Sequence, residues 1–216
     1  MMHSALTYEL LNDQGVLDHL SRDQWITLRR IITEMILSTD MMRHFELVDV
    51  FKKKYANRFL PLSDFEDKLA LYRMCIKCAD IAHAGKVEAL HEKWSMKVVE
   101  EFFHQGDLEL DQGLPVSMFC DRQKADLPTS QSGFISNVVK PLFLAVNSVV
   151  RSNTIETVII AQLDANVQFW KRKVQKKKRA SVAPSYLPFR PQEEEMPRRE
   201  NSFGRAGVRV ATEENL

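Results

Sequence analysis

The chain has 216 residues, of which 44% are hydrophobic and 27% charged, enough apolar material for a buried core and the composition of an ordinary soluble protein. The formal net charge of +1 is unevenly placed, because residues 171–216 hold 12 Lys and Arg against 6 Asp and Glu while residues 1–170 hold 18 against 23. Three cysteines, Cys75, Cys78 and Cys120, without an apolar leader at the start, point to a reducing compartment, and no run reaches the ~18 consecutive apolar residues of a membrane-spanning helix.

Helical signals then follow one another along the chain. Ser21 and Gln24 are spaced as a capping box ahead of Trp25, Leu28, Ile32, Met35 and Ile36, a stripe at helical spacing. The same device stands at Ser63 with Glu66, before Leu69, Tyr72 and Ile76, and a looser form at Asn153 with Glu156. Val87, Leu90, Trp94, Val98 and Phe102 make a further apolar stripe, as do Phe134, Val138, Leu142, Ala145 and Val149. Pro141 falls inside the last stripe, where it removes a hydrogen bond and predicts a kink. No segment alternates with period two, so the expected fold class is all-α.

Two stretches read as irregular, residues 56–62 and residues 106–130, the second containing Gly106, Gly113, Pro115 and Pro128 and long enough to suggest a functional loop. Residues 1–170 read as the folded domain, 171–179 as a basic helix end with seven Lys and Arg, and 180–216 as a disordered tail. The basic run could attract acidic lipids, nucleic acid or an import receptor, but without interleaved aromatics it predicts no specific nucleic-acid role.

Asp80 sits near the end of the apolar run from Cys75 to His83, and a carboxylate on the buried side of a helix would have to be paired, metal-bound or protonated. Cys75 and Cys78 form a lone C-x-x-C without a second pair and read as buried thiols rather than as a zinc or redox site.

Five segments, read together and in order, carry a resemblance. The run from Met35 to His44 is similar to E-M-x-L-[SA]-T-D-M-x-x-H, Cys78 to His83 to C-A-D-[IL]-S-[HN], and Glu101 to Asp107 to E-F-F-x-Q-G-D. Phe119 to Arg122 resembles M-C-D-[RK], and Ser130 to Ile135 with Pro141 downstream resembles S-Q-x-G-F-I and its following proline. In register over roughly residues 3–170, these resemble the C-terminal two-thirds of a class I 3′,5′-cyclic-nucleotide phosphodiesterase catalytic domain, a multi-helix HD-type fold, here incomplete at its N-terminal side.

The resemblance implies hydrolysis of cyclic AMP or cyclic GMP to the 5′-monophosphate at a site of two divalent metals, zinc with magnesium or manganese, which together generate a nucleophile from water and clamp the phosphate. Position by position it implies Asp80 as a metal ligand, Gln131 as the purine-recognising amide, Phe134 stacking on one face of the base and Val98 packing on the other, with His83 near the nucleotide or a metal-bound water. Phe134 and Val98 also lie on apolar stripes and could be simple core.

The family's general acid and remaining metal ligands come from an H-N-x-x-H motif and an H-D pair. The histidines here are His3, His19, His44, His83, His91 and His104, and none has that spacing or is followed by Asp. The chain therefore reads as beginning just after those motifs. It is expected to carry no general acid, to bind metals weakly and to be inactive alone, with exposed apolar faces that invite association. The competing reading is a non-catalytic helical interaction or nucleotide-binding module. The expected location is cytoplasmic, with membrane-surface or nuclear association through the basic tail left open, and the preference between the two nucleotides is not legible.

Overall fold

A computed structural model describes residues 2–55 and 63–182, with side chains to Arg179. It consists of helices α1 (Met2–Asp13), α2 (Arg22–Ser38), α3 (His44–Tyr55), α4 (Phe65–Asp80), α5 (Glu88–Asp111), α6 (Leu127–Phe134), α7 (Lys140–Val150) and α8 (Ala161–Val182). Short 3-10 turns at Met41–Arg43 and Ala82–Gly85 and π segments at Ile135–Val139 and Ile155–Ile160 complete the regular elements, and among the described residues there is no strand. The all-α expectation holds. The stretch 56–62 and the tail from residue 183 onward lie outside the described residues.

Helix starts follow the chemistry of free N–H groups. Ser21 and Gln24 form the reciprocal capping box expected of them. At α4, however, the cap is Asp64, whose carboxylate accepts from the Glu66 N–H at 3.2 Å, and not Ser63. Near residue 153 the cap is Ser152, whose hydroxyl accepts from the Ile155 N–H at 3.4 Å, and not Asn153. In both cases two neighbouring side chains could cap, and the one directly before the first helical residue does so.

Leu127–Val150 is a continuous helical run of 24 residues and the spine of the fold. Its Leu142, Ala145, Val146 and Val149 meet Val48, Phe51 and Tyr55 of α3 and Met74 of α4. Ile135, Val139 and Phe143 meet Ala84 and the α8 residues Leu163, Val167, Phe169 and Trp170. By length and composition this run could cross a membrane, but helices covering both sides of it account for its apolarity. Pro141 has no N–H to donate, and one turn before it the helix widens, so that the Lys140 N–H reaches the Ile135 carbonyl.

Two expectations about α5 are corrected. The helix runs through Gly106 to Asp111, and the irregular stretch is only residues 112–126, because a glycine costs a helix only about 1 kcal/mol and close packing here favours it. Its stripe of Val87, Leu90, Trp94 and Phe102 is largely exposed. The residues α5 buries are His91, Ser95 and Gly106. The stripe on α2 is likewise only half-buried.

The basic segment lies within α8, which continues to Val182. Arg172 pairs with Glu88 at 3.5 Å, Lys173 with Glu92, and Lys177 with Asp126 at 3.0 Å. Much of the basic segment is thus engaged within the fold, on α5 and on the residue preceding α6.

Candidate functional site

The polar face of α5, the start of α6 and the Ala82–Gly85 turn meet where α8 closes over them. Asn166 of α8, fully buried, donates both amide hydrogens, to the carbonyls of Ala84 at 2.7 Å and Lys86 at 2.8 Å. This fixes the turn that carries His83. The His83 ring lies nearly parallel to that of His91 (centroids 5.4 Å apart, 19° between planes) and to that of Phe134 (6.3 Å, 11°). Its Nδ1 is buried and has no hydrogen-bond partner among the described residues.

His91 is the centre of a buried relay. The Trp170 indole N–H donates to His91 Nε2 at 2.8 Å, so the ring proton belongs on Nδ1, which faces the His83 carbonyl at 3.2 Å and Ser95 Oγ at 3.4 Å. Burial above all, and the neighbouring His83, push the His91 pKa down to about 4, which keeps the ring neutral. Burial also lowers His83.

Ser95 Oγ lies 2.9 Å from the His91 carbonyl and 3.2 Å from Gln131 Oε1. A serine hydroxyl has one proton and can also accept. If the proton goes to the Gln131 oxygen, the amide is held one way. If it goes to the His91 carbonyl, the serine oxygen can accept from the amide N–H instead, and the glutamine is held the other way. Gln131 is 7% exposed and stands one turn before the half-buried Phe134, and Val98, also half-buried, stands one turn after Ser95 on α5.

The structure thus brings Gln131, Phe134 and His83 together through ring stacking and the hydrogen bonds of Ser95 and His91, with Val98 on the adjoining turn. Asp80 is not part of that cluster. It ends α4, three residues before His83, and is exposed, which corrects the expectation of a buried carboxylate. Among the described residues no three His, Cys, Asp or Glu side chains converge as a metal-binding group. Cys75 is exposed rather than buried, and Cys78 is half-buried with its thiol pushed up to about 12 by desolvation.

Sequence reasoning missed His91, Ser95 and Trp170. His91 and Ser95 are spaced one turn apart and offset by one residue from the apolar stripe, a signal that the helix turns a polar side inward. Nothing in the sequence links either to Trp170, 79 residues after His91.

Behind the site, residues 112–126 are fastened to α5. Arg122 pairs with Glu100 at 2.8 Å and with Asp107 at 2.9 Å, and its guanidinium lies 4.9 Å from the Phe103 ring centroid. Glu109 accepts from the Ser117 N–H at 2.6 Å and from its hydroxyl at 2.7 Å. Asp126 receives Lys177 at 3.0 Å and the Thr129 hydroxyl, which anchors the start of the helix that presents Gln131.

The chain is similar to known proteins. A family model described as 3′5′-cyclic nucleotide phosphodiesterase matches residues 1–161. A probable 3′,5′-cyclic phosphodiesterase of Caenorhabditis elegans is 38% identical over 141 residues, 64% of this chain and 20% of that protein. A dual 3′,5′-cyclic-AMP and -GMP phosphodiesterase beta of Plasmodium falciparum is 33% identical over 184 residues, 83% of this chain and 16% of that protein. A human dual specificity calcium/calmodulin-dependent 3′,5′-cyclic nucleotide phosphodiesterase is 37% identical over 144 residues, 65% of this chain and 20% of that protein. The chain spans a fifth or less of the length of these relatives. The solved structure of LmjPDEB1 in complex with IBMX superposes with a TM-score of 0.73 at 24% identity, over 81% of this chain and 52% of that one, a likeness of fold.

Proposed function

The chain belongs to the 3′5′-cyclic nucleotide phosphodiesterase family, and we propose that it carries the base-recognising side of a pocket serving hydrolysis of cyclic AMP and cyclic GMP to their 5′-monophosphates. Gln131 reads the purine edge, Phe134 and Val98 hold its two faces, and His83 stands near the nucleotide or a metal-bound water. The observation that carries the reading is Gln131 itself. A nearly buried amide held by Ser95 at 3.2 Å, one turn from a ring stacked against His83, suits an aromatic base bearing both donors and acceptors.

Both purines are served. Adenine and guanine present opposite donor and acceptor patterns at the edge a glutamine can reach, and the Ser95 proton can turn to support either amide orientation. The Plasmodium relative is described as acting on both cyclic AMP and cyclic GMP, and the human one as of dual specificity.

The family's metal dependence meets this chain at Asp80, which we assign as a ligand of the zinc and magnesium or manganese pair. An exposed carboxylate without two further donors does not close such a site, so the described residues do not by themselves fit the metal pair. Titration calorimetry with cyclic AMP and cyclic GMP tests the reading. Binding of both by the chain, weakened about tenfold by Gln131→Ala, supports it, and equal binding by that variant overturns it.

A second reading, a non-catalytic helical interaction module, is favoured by one observation: Met42 is 92% and Phe45 63% exposed around the Met41–Arg43 turn. Light scattering that finds a self-associating chain, together with no nucleotide binding, would favour it.

A further inference from the structure

We propose that Lys173 is a positioning residue for base recognition, holding Trp170 so that His91 keeps its proton on Nδ1 and Ser95 stays free to serve either orientation of Gln131. The proposal rests on Gln131 being the base-recognising amide.

Lys173 lies three and four residues after Trp170 and Phe169, so its ammonium folds back over their rings. It sits 4.5 Å from the Phe169 centroid and 5.2 Å from that of Trp170. It also pairs with Glu92, the residue following His91 on α5. One cation therefore ties the aromatic face of α8 to the turn of α5 that carries His91. Under it, Trp170 and Phe169 pack edge to face at 4.8 Å, and Trp170 meets His91 in the same way at 5.8 Å. Trp170 and His91 are essentially inaccessible, so their 2.8 Å hydrogen bond has no water to replace it.

The chemistry depends on which His91 nitrogen is protonated. With Trp170 donating to Nε2, His91 Nδ1–H is a donor, and the Ser95 proton is left to Gln131 or to the His91 carbonyl. If the indole shifts, Nε2 can take the proton, and Nδ1 becomes an acceptor that captures the Ser95 hydroxyl. The serine oxygen then has only acceptor capacity toward Gln131, and the amide is held with its N–H toward Ser95. The glutamine loses one of its two orientations.

The test uses the full chain, Lys173→Met, which keeps the aliphatic stem, Lys173→Arg, and Glu92→Gln. Imidazole nitrogen NMR reads the His91 tautomer, and calorimetry reads the Kd ratio of cyclic AMP to cyclic GMP. The proposal expects an Nδ1–H tautomer in the parent, mixed tautomers in Lys173→Met with that ratio shifted about fivefold, and parent-like behaviour in Lys173→Arg. A parent tautomer and ratio in Lys173→Met overturns it. If Lys173→Met fails to fold, Glu92→Gln decides, a parent-like tautomer and ratio again overturning it. A tautomer shift in a chain that binds neither nucleotide keeps the Lys173 link to His91 and sinks the base-recognition reading.

Discussion

Gly106, in the last two turns of α5, faces the carbonyl oxygen of Cys120 so closely that a Cβ on it would stand 2.1 Å from that oxygen. The neighbour is backbone and cannot swing aside. Gly106→Ala should therefore cost about 2–3 kcal/mol in urea unfolding, even though alanine is the better helix former. The same variant should expose residues 112–126 to proteolysis, since lifting Cys120 also strains the pairing of Arg122 with Glu100 and Asp107.

Asn166→Asp should lower stability by about 3 kcal/mol, read as a fall in Tm. The change is nearly isosteric, but it replaces two donated hydrogens with a carboxylate oxygen facing the carbonyls of Ala84 and Lys86. Because that turn carries His83, nucleotide binding should weaken as well.

Trp170→Phe removes the indole donor from the fully buried His91 Nε2 and also empties part of the space the indole fills. It should cost about 2–3 kcal/mol by chemical denaturation. A variant as stable as the parent would show that neither the hydrogen bond nor the filled volume contributes net stability.

Stability should fall on mild acidification. His91 has a folded pKa of about 4 against an unfolded value near 6.5, so the unfolded chain binds the proton first. The contribution is complete above pH ~6.5 and is lost as pH drops toward 4, up to about 3 kcal/mol. His83 and His44, lowered mainly by burial, act in the same sense. Unfolding free energies measured between pH 7 and 4 should slope less steeply for His91→Gln. An identical slope would remove His91 from the account.

Much of the helical frame was legible, because capping chemistry and 3.6-residue periodicity are local. The Ser21 and Gln24 box and the buried Leu142, Ala145 and Val149 follow directly. What local rules misread was decided at long range. Gly106 looked like a helix end until the Cys120 carbonyl is seen to occupy the space beside it. The stripe through Leu90 and Trp94 looked like core, whereas α8 approaches the other side of α5 and selects His91 and Ser95 for burial. Asp80 looked buried because its neighbours are apolar, yet it ends its helix in solvent. Of the site, Gln131, Phe134, Val98 and His83 could be named from motifs, but the relay that orients the amide joins residues that only the tertiary fold brings together.

The widened turn at Ile135–Val139 separates the segment bearing Gln131 and Phe134 from the core-packing half of the same helix. The extra residue is held there as a local bulge, the Lys140 N–H reaching back five residues instead of four. Taking that one residue out would let ordinary winding resume with the amide and the ring still on much the same side as before, whereas taking one from the regular helix on either side would swing everything beyond it by roughly 100°. Chain length is therefore under tight constraint in the regular turns and under least constraint in the widened one, the single place in this run where a one-codon deletion would leave recognition and core in register.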